Sequence, residues 1–215
     1  MNGIKAVIFD MDGVLIDSEP LWRIAMIQGF NDIGIDFTDD DCRKTTGMRF
    51  KEVVEHWFNH HNITHSTPTQ LNDAVHSHLI DLIHTKGEVM LGTFELLDFL
   101  KTKQFPIGLA TSSSHILVDA VLQKTKIKPY FSSITSAEFL QHGKPHPEVF
   151  FKCAENLNIP PQNCLVIEDS VNGIKAGKAA GMTVIAIPDL EHKADNRFEI
   201  ADYRLNNLLD VIKLF

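Results

Sequence analysis

The chain is sparing with the residues that would place it in several common classes. Three cysteines, Cys42, Cys153 and Cys164, are too few and wrongly spaced for a disulfide framework, and no CxxC pair exists to hold a metal or run redox chemistry. They read as reduced, mostly buried thiols. No apolar run approaches the length needed to cross a bilayer, and the first apolar strand begins almost at Met1, leaving no room for a signal peptide. A cytoplasmic protein with no membrane partner is expected. Basic residues are outnumbered, 20 against 28 acidic, for a formal net charge of −8, which argues against nucleic acid as the main partner. Pro/Gly/Ser-rich linkers, internal repeats and low-complexity segments are missing. The eleven histidines include no HExxH and no finger spacing, so His60, His61, His65, His76 and His78 read as solvated side chains and not as a zinc site.

What is present is an ordinary globular composition, 44% hydrophobic over 215 residues, enough for one large domain or a domain carrying an insertion. The apolar run Ala6-Val7-Ile8-Phe9 reads as a short strand buried inside a parallel sheet. From Pro20 to Lys86 the apolar spacing is helical: Leu21, Ile24 and Ala25, then Val53, Val54, Trp57 and Phe58, then Leu71, Val75, Leu79, Leu82 and Ile83. The polar loop 60–68 offers a Ser/Thr cluster to cap the last of these helices. From residue 92 onward helices alternate with strands at Pro106–Ala110, Ser133–Thr135, Cys164–Ile167 and Thr183–Ile187. That alternation predicts an α/β fold with a parallel sheet covered on both faces, and the helical block becomes an insertion after the first strand.

The strand ends carry the chemistry. The first runs into Asp10-Met11-Asp12-Gly13, two carboxylates at i, i+2 that point to one side of an extended chain and repel unless a cation or a shared proton intervenes. A Mg²⁺ site beside a nucleophilic aspartate fits, and so does a buried strand followed by an acidic turn. The second strand ends in Thr111-Ser112-Ser113-Ser114, hydroxyls and N–H groups at a helix start, equally an anion site or an N-cap. Lys144, in Gly143-Lys144-Pro145-His146-Pro147, is either a site cation or a solvated one. Glu168-Asp169 are either ligands or an acidic first helical turn.

Taken together, DMDGV at 10–14, Thr111 closing an apolar strand, Lys144 in GKPHPEVF and Glu168-Asp169 in IEDSVNGI resemble the four motifs of the haloacid dehalogenase (HAD) superfamily. The likeness covers essentially the whole chain. It implies a Rossmann-like core, residues 1–16 and 88–215, with an inserted helical-bundle cap of the β-phosphoglucomutase-like C1 kind, residues 17–87. DSEPLWR at 17–23, TTGMRFKEVVEHWF at 45–58 and DNRFEIADYRLNNL at 195–208 are similar to sugar-phosphate phosphatases acting on 2-deoxyglucose 6-phosphate and hexitol phosphates.

The resemblance implies roles residue by residue. Asp10 would be the nucleophile and Asp12 the general acid and base. Mg²⁺ would be held by the Asp10 side chain, the Asp12 backbone carbonyl and Asp169, with Glu168 nearby or through water. Thr111, the Ser112 N–H and Lys144 would hold the phosphoryl oxygens. Gly47, Met48 and Arg49 match the substrate-specificity loop, with Arg49 facing the sugar or else a solvated helix-start cation. Glu19 and Trp22 would stand at the cap entrance, and Asp17 and Gly87 near its hinges. Trp22 replaces a histidine found in the phosphomutases of the group, which favours hydrolysis. The expected partner is a small phosphorylated sugar or sugar alcohol, acted on by a monomer. The alternatives are a β-phosphoglucomutase-type phosphomutase and a non-catalytic HAD-like binding module.

Overall fold

The computed structural model of the chain describes residues 1, 3–45, 48–190 and 192–215. The chain opens with β1 (Ala6–Phe9), then runs through four helices, α1 (Glu19–Asp32), α2 (Asp39–Lys44), α3 (Phe50–His61) and α4 (Pro68–Lys86). Alternation follows: α5 (Thr93–Thr102), β2 (Ile107–Thr111), α6 (His115–Thr125), β3 (Ser133–Ser136), α7 (Glu148–Asn156), β4 (Cys164–Glu168), α8 (Val171–Ala179) and β5 (Thr183–Ala186). A two-residue strand, β6 (Tyr203–Arg204), and α9 (Leu208–Ile212) complete it.

Among the described residues the strands form one six-stranded parallel sheet in the order β3-β2-β1-β4-β5-β6. Each central strand is apolar on both sides because each face is covered. Val7 and Phe9 pack into one core, and Ala6 and Ile8 into the other on the opposite face. β1 lies at the centre, with β2 on one side and β4 on the other, which is where the strand order reverses. In open α/β sheets the crevice beyond the carboxyl ends at such a reversal is where ligands bind.

The helical block leaves and rejoins the sheet through two linkers that lie side by side. Asp17 N donates to Glu88 O (2.9 Å), Met90 N donates to Leu15 O (3.1 Å), and Ile16 bridges Val89 in antiparallel fashion. Within the block α1 packs along α4, and its buried Leu21, Ala25 and Phe30 continue the core that includes Phe9 and Leu15. Phe30 stacks on Phe37, which meets Trp57 edge-on.

The expected helices and strands are all present, with small shifts at their ends. Pro106 has no N–H to give the ladder, so β2 starts one residue later, and Val7 N donates to the Pro106 carbonyl instead. The unforeseen elements are short and weakly patterned: α2 buries only Cys42, and both residues of β6 are exposed. Among the described residues no helix is long and apolar enough to cross a membrane. The three cysteines are buried and form no disulfide among the described residues, and burial pushes their thiols up, to about 12 for Cys42 and Cys153 and about 11 for Cys164.

The 60–68 loop ends as its Ser/Thr content suggests. Thr67 caps α4 in a reciprocal box, its Oγ1 accepting from Gln70 N (3.2 Å) while Gln70 Oε1 accepts from Thr67 N (3.0 Å). Replacing Thr67 with Ala is expected to cost about 1 kcal/mol in chemical denaturation. An unchanged midpoint would mean that packing of α1 on α4, and not the cap, starts this helix.

Candidate active site

The carboxyl ends of β1, β2 and β4 bring four groups of side chains to one place. Asp10 follows β1 directly, Thr111 ends β2, Glu168 ends β4 and Asp169 follows it. Lys144 reaches in from the loop before α7, through a peptide bond to Pro145 that is cis. Lys144 is 6% exposed, Asp10 is 7% exposed and Glu168 is fully buried. Lys144 Nζ donates to Asp10 Oδ1 (2.5 Å), Glu168 Oε1 (2.7 Å) and the Ala110 carbonyl (3.1 Å), and lies 4.9 Å from the centre of the Phe150 ring. All three ammonium donors are thus used. Burial works against the charge on Lys144, but the Asp10 and Glu168 carboxylates overcome it and hold the ammonium above its ordinary range.

Glu168 is held from behind as well. Its Oε2 accepts from Asp169 N (3.2 Å), Ser170 N (3.1 Å) and Ser170 Oγ (3.0 Å), while Ser170 Oγ also caps α8 by accepting from Gly173 N. This turn closes only around glycine: a Cβ on Gly173 would stand 1.8 Å from Glu168 Oε1. Gly13 is constrained twice over. Its φ is +70°, and a Cβ there would lie 2.0 Å from Asp169 Oδ2. The glycine of the Asp-x-Asp-Gly run therefore makes room for the acid that arrives from β4.

Oxygen atoms of Asp10, Glu168 and Asp169 lie within 4.8 Å of one another. One buried ammonium serves this cluster, with the Asp12 carboxylate close by. Burial raises the Asp10 carboxyl to about 7 against the pull of Lys144, with Glu168 and Asp12 adding to the rise. Burial also raises Asp169 well above the carboxylate range, reinforced by Glu168, Asp10 and Glu19. An excess of buried anionic oxygen with no soft ligand is the donor set of a hard divalent cation, so these residues could hold a metal ion.

Asp12 is treated differently. Ser18 Oγ (2.6 Å) and Trp22 Nε1 (3.2 Å) donate to its Oδ1, and Ser113 Oγ (2.6 Å) donates to its Oδ2. Sequence reading gave Ser113 only as one hydroxyl of the Thr111–Ser114 run and Ser18 no site role, and linked neither to Asp12. Ser18 stands one residue before α1 and reads as chain leaving for the helical block, while Ser113 is one of three serines in a row, distinguishable only once the turn is folded. That turn is organised by Thr111, whose Oγ1 accepts from Ser113 N (3.1 Å), with Ser136 Oγ donating to the Ser113 carbonyl (2.6 Å). Ser112 lines the cavity, and Ser114 Oγ is buried with no partner among the described residues.

A cavity of about 1260 Å³ opens above these groups, with the helical block as its other wall. Trp22, Phe50 and His76 form an aromatic surface there, with ring centres 5.4 to 6.4 Å apart. Burial pushes His76 below its ordinary range, against the pull of Glu138 and Asp73. Glu19 also lines the cavity, and burial raises it to about 7, Asp12 adding to the rise. Arg49 lines the cavity too, but its guanidinium is engaged: Nε and Nη2 donate to Glu52 Oε1 (2.8 and 2.6 Å), and Nη1 donates to the Leu140 carbonyl across the crevice (3.3 Å). Gly47 lies outside the described residues.

Asp10 and Glu19, each raised to about 7, bind protons in the folded chain that an unfolded carboxylate releases near pH 4. The stability they contribute is complete below that range and is lost as pH rises toward 7. The thermal midpoint of the metal-free protein is therefore expected to fall between about pH 5 and about pH 7.5, with a shallower fall in Glu19→Gln. A midpoint rising over that interval would contradict this reading of the cluster.

Residues 4–181 match the family model described as haloacid dehalogenase-like hydrolase. Hexitol phosphatase B of Escherichia coli (strain K12) is 35% identical over 209 residues, 97% of this chain and 94% of that protein. Phosphorylated carbohydrates phosphatase of Thermotoga maritima is 31% identical, covering 83% of this chain and 82% of its own length. Among solved structures, β-phosphoglucomutase from Clostridium difficile superposes with a TM-score of 0.83 at 26% identity, over 97% of this chain and 93% of that one. CbbY from Rhodobacter sphaeroides, solved with phosphate, superposes with a TM-score of 0.89 at 24% identity, over 97% and 96%, a likeness of fold. The parallel sheet and the matched sequence agree: the chain belongs to the haloacid dehalogenase-like hydrolases.

Proposed function

We propose that this protein is a phosphatase that hydrolyses small phosphorylated sugars or sugar alcohols through an aspartyl-phosphate on Asp10. The observation that carries the reading is the contrast between two neighbouring carboxylates. Asp10 is buried against Lys144 through one oxygen, leaving the other for attack, whereas Asp12 is held by neutral hydroxyl and indole donors that orient it for proton transfer. In the first step an Asp10 oxygen attacks phosphorus as the bond from phosphorus to the sugar oxygen breaks, and that oxygen takes a proton from the Asp12 carboxyl. In the second, Asp12, now a carboxylate, takes a proton from a water that attacks the same phosphorus. Inorganic phosphate leaves and the Asp10 carboxylate is restored.

Thr111 and the Ser112 N–H hold the phosphoryl oxygens and Lys144 lends its positive charge beside them, where positioning and charge supply most of the rate. Asp10, the Asp12 backbone carbonyl and Asp169 would hold Mg²⁺, with Glu168 completing the cluster while it anchors Lys144. When bound, the ion supplies charge neutralisation between phosphate and nucleophile. The helical block, residues 17–87, serves as a cap, and the paired linkers at Leu15–Asp17 and Glu88–Met90 are its hinges. The names of the relatives support the substrate class, since they pair phosphatase with hexitol and with phosphorylated carbohydrates. A cavity walled on both sides, with its reactive groups at the base, suits small molecules.

The test is phosphate release across phosphorylated hexoses, pentoses, hexitols and nucleotides, with Mg²⁺ and after chelation. Hexose and hexitol phosphates are expected to lead, activity to vanish on chelation, and Asp10→Asn to lose at least about a thousandfold in kcat. With β-glucose 1-phosphate, inorganic phosphate is expected and not glucose 6-phosphate. Unchanged turnover in Asp10→Asn would overturn the nucleophile, and conversion to glucose 6-phosphate would make the protein a mutase.

A further inference from the structure

One of the donors to Asp12 differs in kind from the others. Trp22 Nε1 donates to Asp12 Oδ1, at 3.2 Å, although the two residues belong to different parts of the fold. Asp12 follows β1 at the sheet, while Trp22 sits on α1, one turn beyond Ser18 and on the same face, so both reach the same carboxylate oxygen. The two serine hydroxyls around Asp12 can rotate and can also accept. The indole N–H is donor only and its direction is set by the ring. The ring itself is held by Phe50 of α3 (5.4 Å between centres) and His76 of α4 (6.4 Å), which also touch each other (5.5 Å).

We propose that Trp22 is a positioning residue for the reaction, its indole N–H fixing the Asp12 carboxylate in the orientation from which it protonates the leaving group. The proposal rests on the phosphatase reading above. Three donors share Asp12, but only the indole is both rigid and wedged by neighbouring helices. Among the described residues Oδ1 is occupied by Ser18 and Trp22, while Oδ2 accepts from Ser113 alone and keeps room for a further partner. Trp22 therefore orients Asp12 with Oδ2 as the oxygen left to exchange a proton. In this role its effect depends on how much the leaving group needs that proton.

The experiment compares Trp22→Phe, which keeps an aromatic body and removes the N–H, on two esters. A hexitol phosphate leaves as a strongly basic alkoxide unless protonated, whereas p-nitrophenyl phosphate leaves as a stable anion. Trp22→Phe is expected to lower kcat about 10- to 100-fold on the hexitol ester, a part of what a general acid contributes, and several-fold less on the aryl ester. In an Asp12→Asn background the same change is expected to add less than about twofold discrimination, because the two residues then act as one unit. Equal losses on both esters, or a loss confined to KM for the hexitol ester, would overturn the role of Trp22 while leaving the phosphatase reading intact. A wild-type protein inactive on both esters would overturn the phosphatase reading and this role with it. A thermal melt of each variant shows whether a loss reflects unfolding, and an unfolded Trp22→Phe chain would itself overturn a role limited to positioning.

Discussion

A single buried ammonium organises this molecule. Lys144 bridges Asp10 and Glu168 at 2.5 and 2.7 Å in a place almost closed to solvent, and takes its third bond from the backbone of the strand between them and β3. A buried carboxylate alone is costly, and two side by side are costlier. Breaking such a pair from one side leaves an uncompensated charge that costs about 3–5 kcal/mol. The tight turn around Gly173 and the left-handed Gly13 both sit where the chain must crowd around these charges. The site is thus built as a charge balance first, and the order of strands supplies the meeting point.

That balance distinguishes the two aspartates of a short motif. Asp10 faces the ammonium and the other buried acids, while Asp12, two residues on, faces only neutral donors. A nucleophile gains from a cationic neighbour that is also placed to stabilise the incoming phosphoryl group, whereas a proton shuttle gains from partners that hold its direction without fixing its charge. The same separation spans the fold: Lys144 and Glu168 come from the sheet side, and Ser18 and Trp22 from the start of the helical block. Arg49 adds a further tie across the crevice, through the Leu140 carbonyl.

Much of this was legible in the residues. The strands read clearly because apolar runs such as Cys164–Ile167 are buried on both faces, and Asp10, Thr111, Glu168 and Asp169 stood out as candidates because they punctuate strand ends. Lys144 was harder, since a lysine in a loop is usually solvated, and only its company made it a candidate. The partners of Asp12 were not readable. Ser113 is 101 positions away in the chain, and Trp22 carries the pattern of an ordinary helix residue until the fold turns its N–H toward the carboxylate. Nor could the sequence alone show that Glu52, three residues along the same helix, takes up the guanidinium of Arg49. Short elements such as α2 and β6 bury too little to leave a periodic trace.

The account stands or falls on a covalent bond to Asp10. Rapid acid quenching during turnover of a hexitol phosphate, followed by proteolysis and mass spectrometry, reads it directly. The expected result is a phosphoryl group on the peptide carrying Asp10, accumulating when Asp12 is replaced and absent when Asp10 is. Turnover at full rate with no phosphorylated peptide, or with the phosphoryl group on any other residue, would contradict it.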